Sequence, residues 1–226
     1  MQIEFAKVFE GLPLAEACDF SFPSGIIAQE KIDGWRGMLD CDTGRITGRN
    51  GSQIGEVDGS LPAGCLIDGE WKGGQFHAFD LVRLGGQSIA GEPIEFRLGQ
   101  LDKLTGNFAR VEYSFDAQSL ARKVNFSGGE GIVIKRLGTA YNRGQWTKCK
   151  RQLTIDAVIL SVDQFAMTAE VAIGGNSVGR VFGFSRNEIE SAWAGRMVEV
   201  AAMELTANGK LRHGRFLRFR DDKATR

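Results

Sequence analysis

Proline and histidine are scarce in this chain: four prolines and two histidines among 226 residues. With so few histidines, and with Cys18, Cys41, Cys65 and Cys149 standing singly, no C-x-x-C pair exists and a structural zinc site is not expected. Isolated thiols also argue against a disulfide framework and fit a reducing compartment. The start, MQIEFAKVFEG, has no basic segment followed by an apolar run, and no stretch approaches the length of a membrane span. Neither a signal peptide nor a membrane partner is therefore expected, and the expected location is the cytoplasm. Net charge is lacking too, since 28 Lys and Arg balance 28 Asp and Glu. The total points to no polyanionic partner, but the distribution does. Residues 209–226, GKLRHGRFLRFRDDKATR, form a local basic patch.

Glycine, by contrast, is plentiful at 30 residues, and 42% of the chain is hydrophobic. That supplies cores for one or two domains and the tight turns of a sheet-rich fold. GIIAQEKI reads as a strand ending in a turn, and WRGMLDCDTGRITGRNGSQI as a hairpin turning at DTG. CLIDGEW and FHAFDLV are strands with Gly-Gly between them. Phe96, Leu98, Leu101 and Leu104 recur at roughly helical spacing, and DAQSLARKVNF is a second helix. EGIVIKR and QWTKCKR are strands. After Arg151 the pattern becomes five short strands with one helix, RNEIESAWAG, capped by Ser185 or Asn187. The expected fold is α+β: antiparallel sheets with helices over residues 1–151, then a small OB-type β-barrel over 152–226.

Short motifs recur at strand ends in a fixed order: Lys31-Ile32-Asp33-Gly34-Trp35-Arg36, Gly48-Arg49-Asn50-Gly51, Asp68-Gly69-Glu70, Phe79-Asp80, Glu130 to Lys135, and Trp146 to Lys150. Each alone is commonplace; the ordered set is specific. Lys148 and Lys150 alternate along a strand and so share a face, while Cys149 points the other way into packing. Trp35, Trp146 and His77 read as packing residues. Asp33 either orients Lys31 or caps the turn with Gly34.

The sequence resembles the covalent nucleotidyltransferase superfamily, and within it minimal ATP-dependent DNA ligases. The likeness covers nearly the whole chain, including the tail element Arg220-Asp221-Asp222-Lys223. It implies a nucleotidyltransferase (adenylation) domain followed by an OB domain. It implies that Lys31 is the nucleophile that forms lysyl-AMP from ATP, an amine that must lose its proton to react. Arg36, Lys148, Lys150 and a bound ion are the cations expected to favour the neutral amine. Gln29, Glu30, Arg36, Arg49, Glu70, Phe79, Lys148 and Lys150 are expected around the nucleotide, with Gln29 at the adenine edge and Phe79 stacked on the ring. Glu70 and Glu130 are expected to bind Mg2+ or Mn2+. Arg143 is a further arginine expected near the last lysine strand.

Arg218, Arg220, Asp222 and Lys223 are expected to orient pyrophosphate, and Arg49, Arg215 and Arg218 to touch nucleic acid. The resemblance implies a monomer that seals nicked duplex DNA in repair, replication or recombination. The short stretch before Lys31 leads us to expect no N-terminal DNA-binding domain, and Gly85-Gly86-Gln87 or Gly174-Gly175-Asn176 as flexible contacts. Alternatives are an mRNA-capping guanylyltransferase, an RNA ligase, or a non-catalytic nick-binding module.

Overall fold

The chain divides into two compact units, Met1–Arg151 and Gln152–Arg226. The computed structural model describes residues 8–10, 13–141 and 146–223; Arg143 lies outside the described residues. The fold is α+β with mostly antiparallel pairing. No helix among the described residues is long and apolar enough to cross a membrane.

The first unit runs β1 (Val8–Glu10), α1 (Leu14–Ala17), β2 (Ile26–Glu30), β3 (Trp35–Asp40), β4 (Arg45–Gly48), β5 (Gln53–Glu56), β6 (Leu66–Lys72), β7 (Gln75–Leu84), β8 (Gln87–Ser88), α2 (Ile94–Leu101), β9 (Ala109–Arg110), β10 (Tyr113–Ser114), α3 (Ala117–Ser127), β11 (Gly131–Arg136) and β12 (Trp146–Lys150). One sheet has the order β1-β12-β11-β2-β10; the other has β5-β4-β3-β6-β7-β8, with β9 beside β7.

Local chemistry accounts for the connections. Gly73-Gly74 and Gly85-Gly86 take φ of 58° and 83°, and 55° and 82°. Two successive left-handed residues are what a two-residue hairpin needs, and glycine adopts them without strain. The Gly85-Gly86 stretch is thus a tight turn between paired Leu84 and Gln87, not a flexible loop. Asp116 caps α3 by accepting from the Ser119 amide, and left-handed Gly128 ends the helix.

Burial follows the strand alternation. Leu39, Ile46, Ile67, Phe76 and Leu81 pack on Ile94, Leu98 and Leu101 of α2. Ala28, Ile132 and Cys149 pack on α1 and α3 through Leu14, Ala17, Ala117, Ala121 and Val124. A third cluster joins the two sheets through Met38, Leu66, Tyr141 and Trp146. All four cysteines are free thiols and buried.

The second unit runs β13 (Leu153–Asp163), β14 (Thr168–Ile173), β15 (Asn176–Val181), α4 (Arg186–Glu190), β16 (Met197–Ala202), β17 (Glu204–Leu205), β18 (Leu211–Arg212) and β19 (Arg215–Phe219). Its helix follows the third strand, as expected, and Ser185 is the cap, in a capping box with Glu188. Gly174-Gly175 is again a left-handed hairpin pair, here joining Ile173 to Asn176. The expected closed barrel is not formed. The sheet is open, in the order β15-β14-β13-β16-β19, with β17-β18 a separate hairpin. Among the described residues its edges meet through an isolated bridge between Phe182 and Arg215. Directly after Phe182, Gly183 takes a φ of 91° and the chain leaves for α4, so no ladder propagates.

Candidate active site

Cross-strand register builds one wall of a cavity. Gln29 pairs with Val133, which pairs with Lys148; Ile27 pairs with Lys135, which pairs with Trp146. Gly131 pairs with Lys150, and its carbonyl accepts from the Lys31 amide at 2.8 Å. Because side chains alternate, these rows lie on one face of the β2-β11-β12 sheet. Ile132 and Cys149, in the intervening row, face the buried cluster behind it.

The opposite wall comes from β3, β6 and β7. Arg36 pairs with Glu70, which pairs with His77. Register slips between Asp68–Asp80 and Gly69–Ala78, leaving Phe79 as an extra, bulged residue. A bulge re-aims the side chain it carries, and Phe79 turns edge-on to Trp146, with ring centroids 5.8 Å apart.

The cavity between the walls is lined by Gln29, Glu30, Lys31, Arg36, Arg49, Glu70, Phe79, Lys148 and Lys150. Those are the residues the sequence proposed for the nucleophile and for nucleotide binding. Glu130 stands behind the lysine: Lys31 Nζ donates to its Oε2 at 2.6 Å, and Lys150 Nζ lies 3.9 Å from its Oε1. The amine's ion-pair partner is thus an anion, while Arg36, Lys148 and Lys150, the cations expected around it, line the same cavity. Gly34 is required by close approach, since a Cβ there would meet the Trp71 carbonyl at 2.6 Å and the Glu70 side chain at 2.9 Å.

Arg36 is a fixed wall. Its Nε and Nη2 donate to Asp68 at 3.1 and 2.6 Å, and Tyr141 Oη donates to the same carboxylate at 2.7 Å. Its guanidinium packs over Trp146 and Phe79, 4.9 and 5.5 Å from the ring centroids. Burial opposes the charge, but the Asp68 carboxylate outweighs it and holds Arg36 above its ordinary value. Burial also pushes Glu70 up to about 7, opposed by the attraction of Lys31.

Sequence reasoning missed the floor of the site. Lys135 is 1% exposed and its Nζ donates to the Phe79 carbonyl at 3.0 Å. It lies 3.8 Å from the Trp146 centroid and 3.7 Å from Asp80, which also takes Arg97 in a bidentate pair. Burial, opposed by Asp80, lowers Lys135 to about 8. Strand periodicity held the signal: Lys135 is two residues beyond Val133, and Asp68 two before Glu70, on the cavity faces. Tyr141 carries no comparable signal, because it follows a loop.

Trp146 is buried as expected, and His77 sits half-buried on β7. Trp35 is 67% exposed, which corrects its reading as core. It is the first residue of β3, where among the described residues no neighbouring element covers its face.

In the second unit, Arg218 pairs with Glu199. Arg220 is bidentate to Asp222 at 2.9 Å and also reaches Asp156 at 2.8 Å, while Lys223 reaches Asp156 at 2.5 Å. Arg215 is exposed, with its stem against Gly183.

No protein-family profile matches the chain, and no curated protein does. Its fold is nonetheless that of DNA ligases, and the solved structures similar to it include ATP-dependent DNA ligases. A Lig E DNA ligase, described as binding DNA with a minimal scaffold, matches with a TM-score of 0.69 at 23% identity, over 96% of this chain and 100% of that one. The ligase domain of M. tuberculosis LigD matches with a TM-score of 0.51 at 20% identity, over 97% and 96%. Pmar-Lig_PreS3 matches with a TM-score of 0.65 at 18% identity, over 96% of this chain and 67% of that one.

Proposed function

We propose that the protein is an ATP-dependent DNA ligase that seals 5′-phosphate/3′-hydroxyl nicks, with residues 1–151 as the adenylation domain and 152–226 as a reduced OB-type domain whose sheet stays open. The observation that carries this reading is the placement of Lys31. It directly follows β2 at the mouth of a cavity walled by basic, acidic and aromatic side chains, with a carboxylate hydrogen-bonded to its amine.

In the first step, Lys31 Nζ attacks the α-phosphorus of ATP, a P–N bond forms and pyrophosphate leaves. Glu130, already accepting from the ammonium, is placed to receive the proton that the amine must lose. Lys148 and Lys150 neutralise charge on the α-phosphate. Phe79 stacks on the adenine and Gln29 reads its edge. Gln29 Nε2 donates to the Val111 carbonyl at 3.3 Å, while its buried Oε1 has no partner among the described residues. A spare acceptor suits the 6-amino group of adenine and not the 6-oxo group of guanine, which favours ATP over GTP.

Glu70 and Glu130 offer hard oxygen donors. Among the described residues no cluster of three or more His, Cys, Asp or Glu forms a metal site. Two carboxylates suit Mg2+ or Mn2+ arriving with the nucleotide, because such an ion completes its shell from phosphate and water. Bound there, it would offset phosphate charge. In the second step a 5′-phosphate oxygen of the nick attacks the adenylyl phosphorus and Lys31 leaves. In the third, the 3′-hydroxyl attacks the 5′-phosphorus and AMP leaves. Arg49 and Arg215 are assigned to nucleic-acid phosphates, and Arg218, Arg220, Asp222 and Lys223 to pyrophosphate and DNA, as a monomer on nicked duplex.

Intact mass spectrometry after mixing with ATP and Mg2+ tests this reading. One AMP, mapped to Lys31, absent with GTP and absent in Lys31→Ala, is the expected result. A protein that takes no AMP, or a Lys31→Ala variant that still seals nicks, overturns it.

A further inference from the structure

The tail cations of the second unit already hold a carboxylate from another strand. Asp156 on β13 pairs in register with Glu199 on β16, which pairs with Arg218 on β19. Ala157 and Val198 lie in the core of this unit, so alternation sets Asp156 and Glu199 side by side on the other face. Two carboxylates directly opposite each other repel, and the tail offsets that repulsion. Arg220 Nη1 donates to Asp156 Oδ1 at 2.8 Å and Lys223 Nζ to its Oδ2 at 2.5 Å, while Arg218 pairs with Glu199. Arg220 Nη1 also lies 4.0 Å from Glu199. The other donors of Arg220 go to Asp222, which belongs to the tail and moves with it. The tail has an anchor of its own. The Arg220 amide donates to the Met197 carbonyl at 2.9 Å, and Arg196 is bidentate to Asp221 at 2.9 and 2.7 Å. The Arg196 guanidinium is itself stacked over Phe219 and Trp193, 3.4 and 4.4 Å from the ring centroids. The backbone of the tail is thus held without Asp156.

We infer that Asp156 is an intramolecular competitor of the tail's phosphate ligand: its carboxylate occupies the Arg220 and Lys223 donors until a polyphosphate displaces it, and takes them back once pyrophosphate has left. The inference rests on the ligase reading, which names that ligand. Three features support it. The carboxylate gives one oxygen to a guanidinium and the other to an ammonium, the charge-assisted contacts that two phosphate oxygens also make. The exchange replaces one anion by another on the same donors, and breaks neither the Arg220 backbone bond nor the Arg196–Asp221 pair. When the cations leave, Asp156 and Glu199 are left facing each other with their repulsion no longer offset, which favours the return of the tail. A site filled in this way binds its ligand more weakly, by the fraction of time that it stands open.

The test is calorimetric titration of the full chain with inorganic pyrophosphate, together with the apparent Michaelis constant for ATP in lysyl-AMP formation. Wild type, Asp156→Asn and Glu190→Gln are compared, each checked by thermal melting. Glu190 pairs with Arg186 on α4, so its variant makes the same change in net charge in the same unit without touching the tail pairs. For a tail open about a fifth of the time, Asp156→Asn binds pyrophosphate about fivefold more tightly and lowers the ATP constant by about the same factor, with the maximal rate within about twofold. Glu190→Gln is expected to match the wild type in both. Asp156→Ser takes the place of Asp156→Asn should that variant not fold, with the same expectation. An Asp156→Asn no better than the wild type in either measurement, or a Glu190→Gln that gains as much, overturns the inference. If the wild type forms lysyl-AMP and Asp156→Asn gains nothing, the competitor alone falls. If the wild type never forms lysyl-AMP, the ligase reading falls, and the pyrophosphate titration still reads the Asp156 contact.

Discussion

Glu70 is the residue whose charge is most open to adjustment. Burial raises it from an ordinary value of 4.5 to about 7, so the folded protein keeps a proton that the unfolded chain has released between those values. Its contribution to stability is thus present below pH 4.5 and lost as the pH rises through 7. Glu70→Gln, neutral at every pH, is expected to melt roughly 2–4 °C above the wild type at pH 8, about 1 kcal/mol in a domain of this size, and with it at pH 5. Calorimetry at the two pH values checks this; a gap of the same size at both refutes a titration effect. At this scale the sequence was legible where chemistry is written into spacing. Lys31, Glu70, Lys148 and Lys150 each sit in a motif, and the fold brings them to one cavity. Glu130 sits in a motif too, but its contact with the Lys31 amine was not legible, because 99 residues separate the pair and only strand register joins them. Trp35 was misread because alternation tells which side a residue faces, and not whether anything covers that side.

At the scale of the element, the lysine, the carboxylate and the basic strand are held together by β11 and β12. Gly131 makes that pairing possible: a Cβ there would stand 2.2 Å from the Cys149 carbonyl and 2.9 Å from the Lys150 Cα. Gly131→Ala is expected to cost roughly 1–3 kcal/mol, the usual penalty for forcing atoms into a filled space. Urea unfolding reads the loss of stability, and it should be accompanied by slower lysyl-AMP formation, since Glu130 and Lys150 are pushed apart. A variant as stable as the wild type would show that the strands separate at no cost. Strands, Gly-Gly turns and helix caps were readable because local rules set them. The bulge that frees Phe79, and the failure of the second sheet to close, were not, because each depends on register between distant segments.

For the whole molecule, charge that looks available in the sequence is largely spent. Arg218, Arg220 and Lys223 are tied to Glu199, Asp222 and Asp156 within the second unit. While those pairs stay closed the tail adds little to counterion release, so binding to nicked DNA is expected to depend only mildly on salt. For about three phosphate contacts, affinity is expected to fall about 40-fold between 50 and 200 mM monovalent salt. Anisotropy titrations give the slope, and a fall beyond about a thousandfold would mean that the tail pairs open on DNA. The internal thiols carry a practical corollary. With Cys18, Cys41, Cys65 and Cys149 all shielded from solvent, a maleimide dye finds no native target while the chain stays folded. A lone cysteine placed at Phe165, which is fully exposed after β13, can then carry a reporter without first stripping the natural sulfur from the protein.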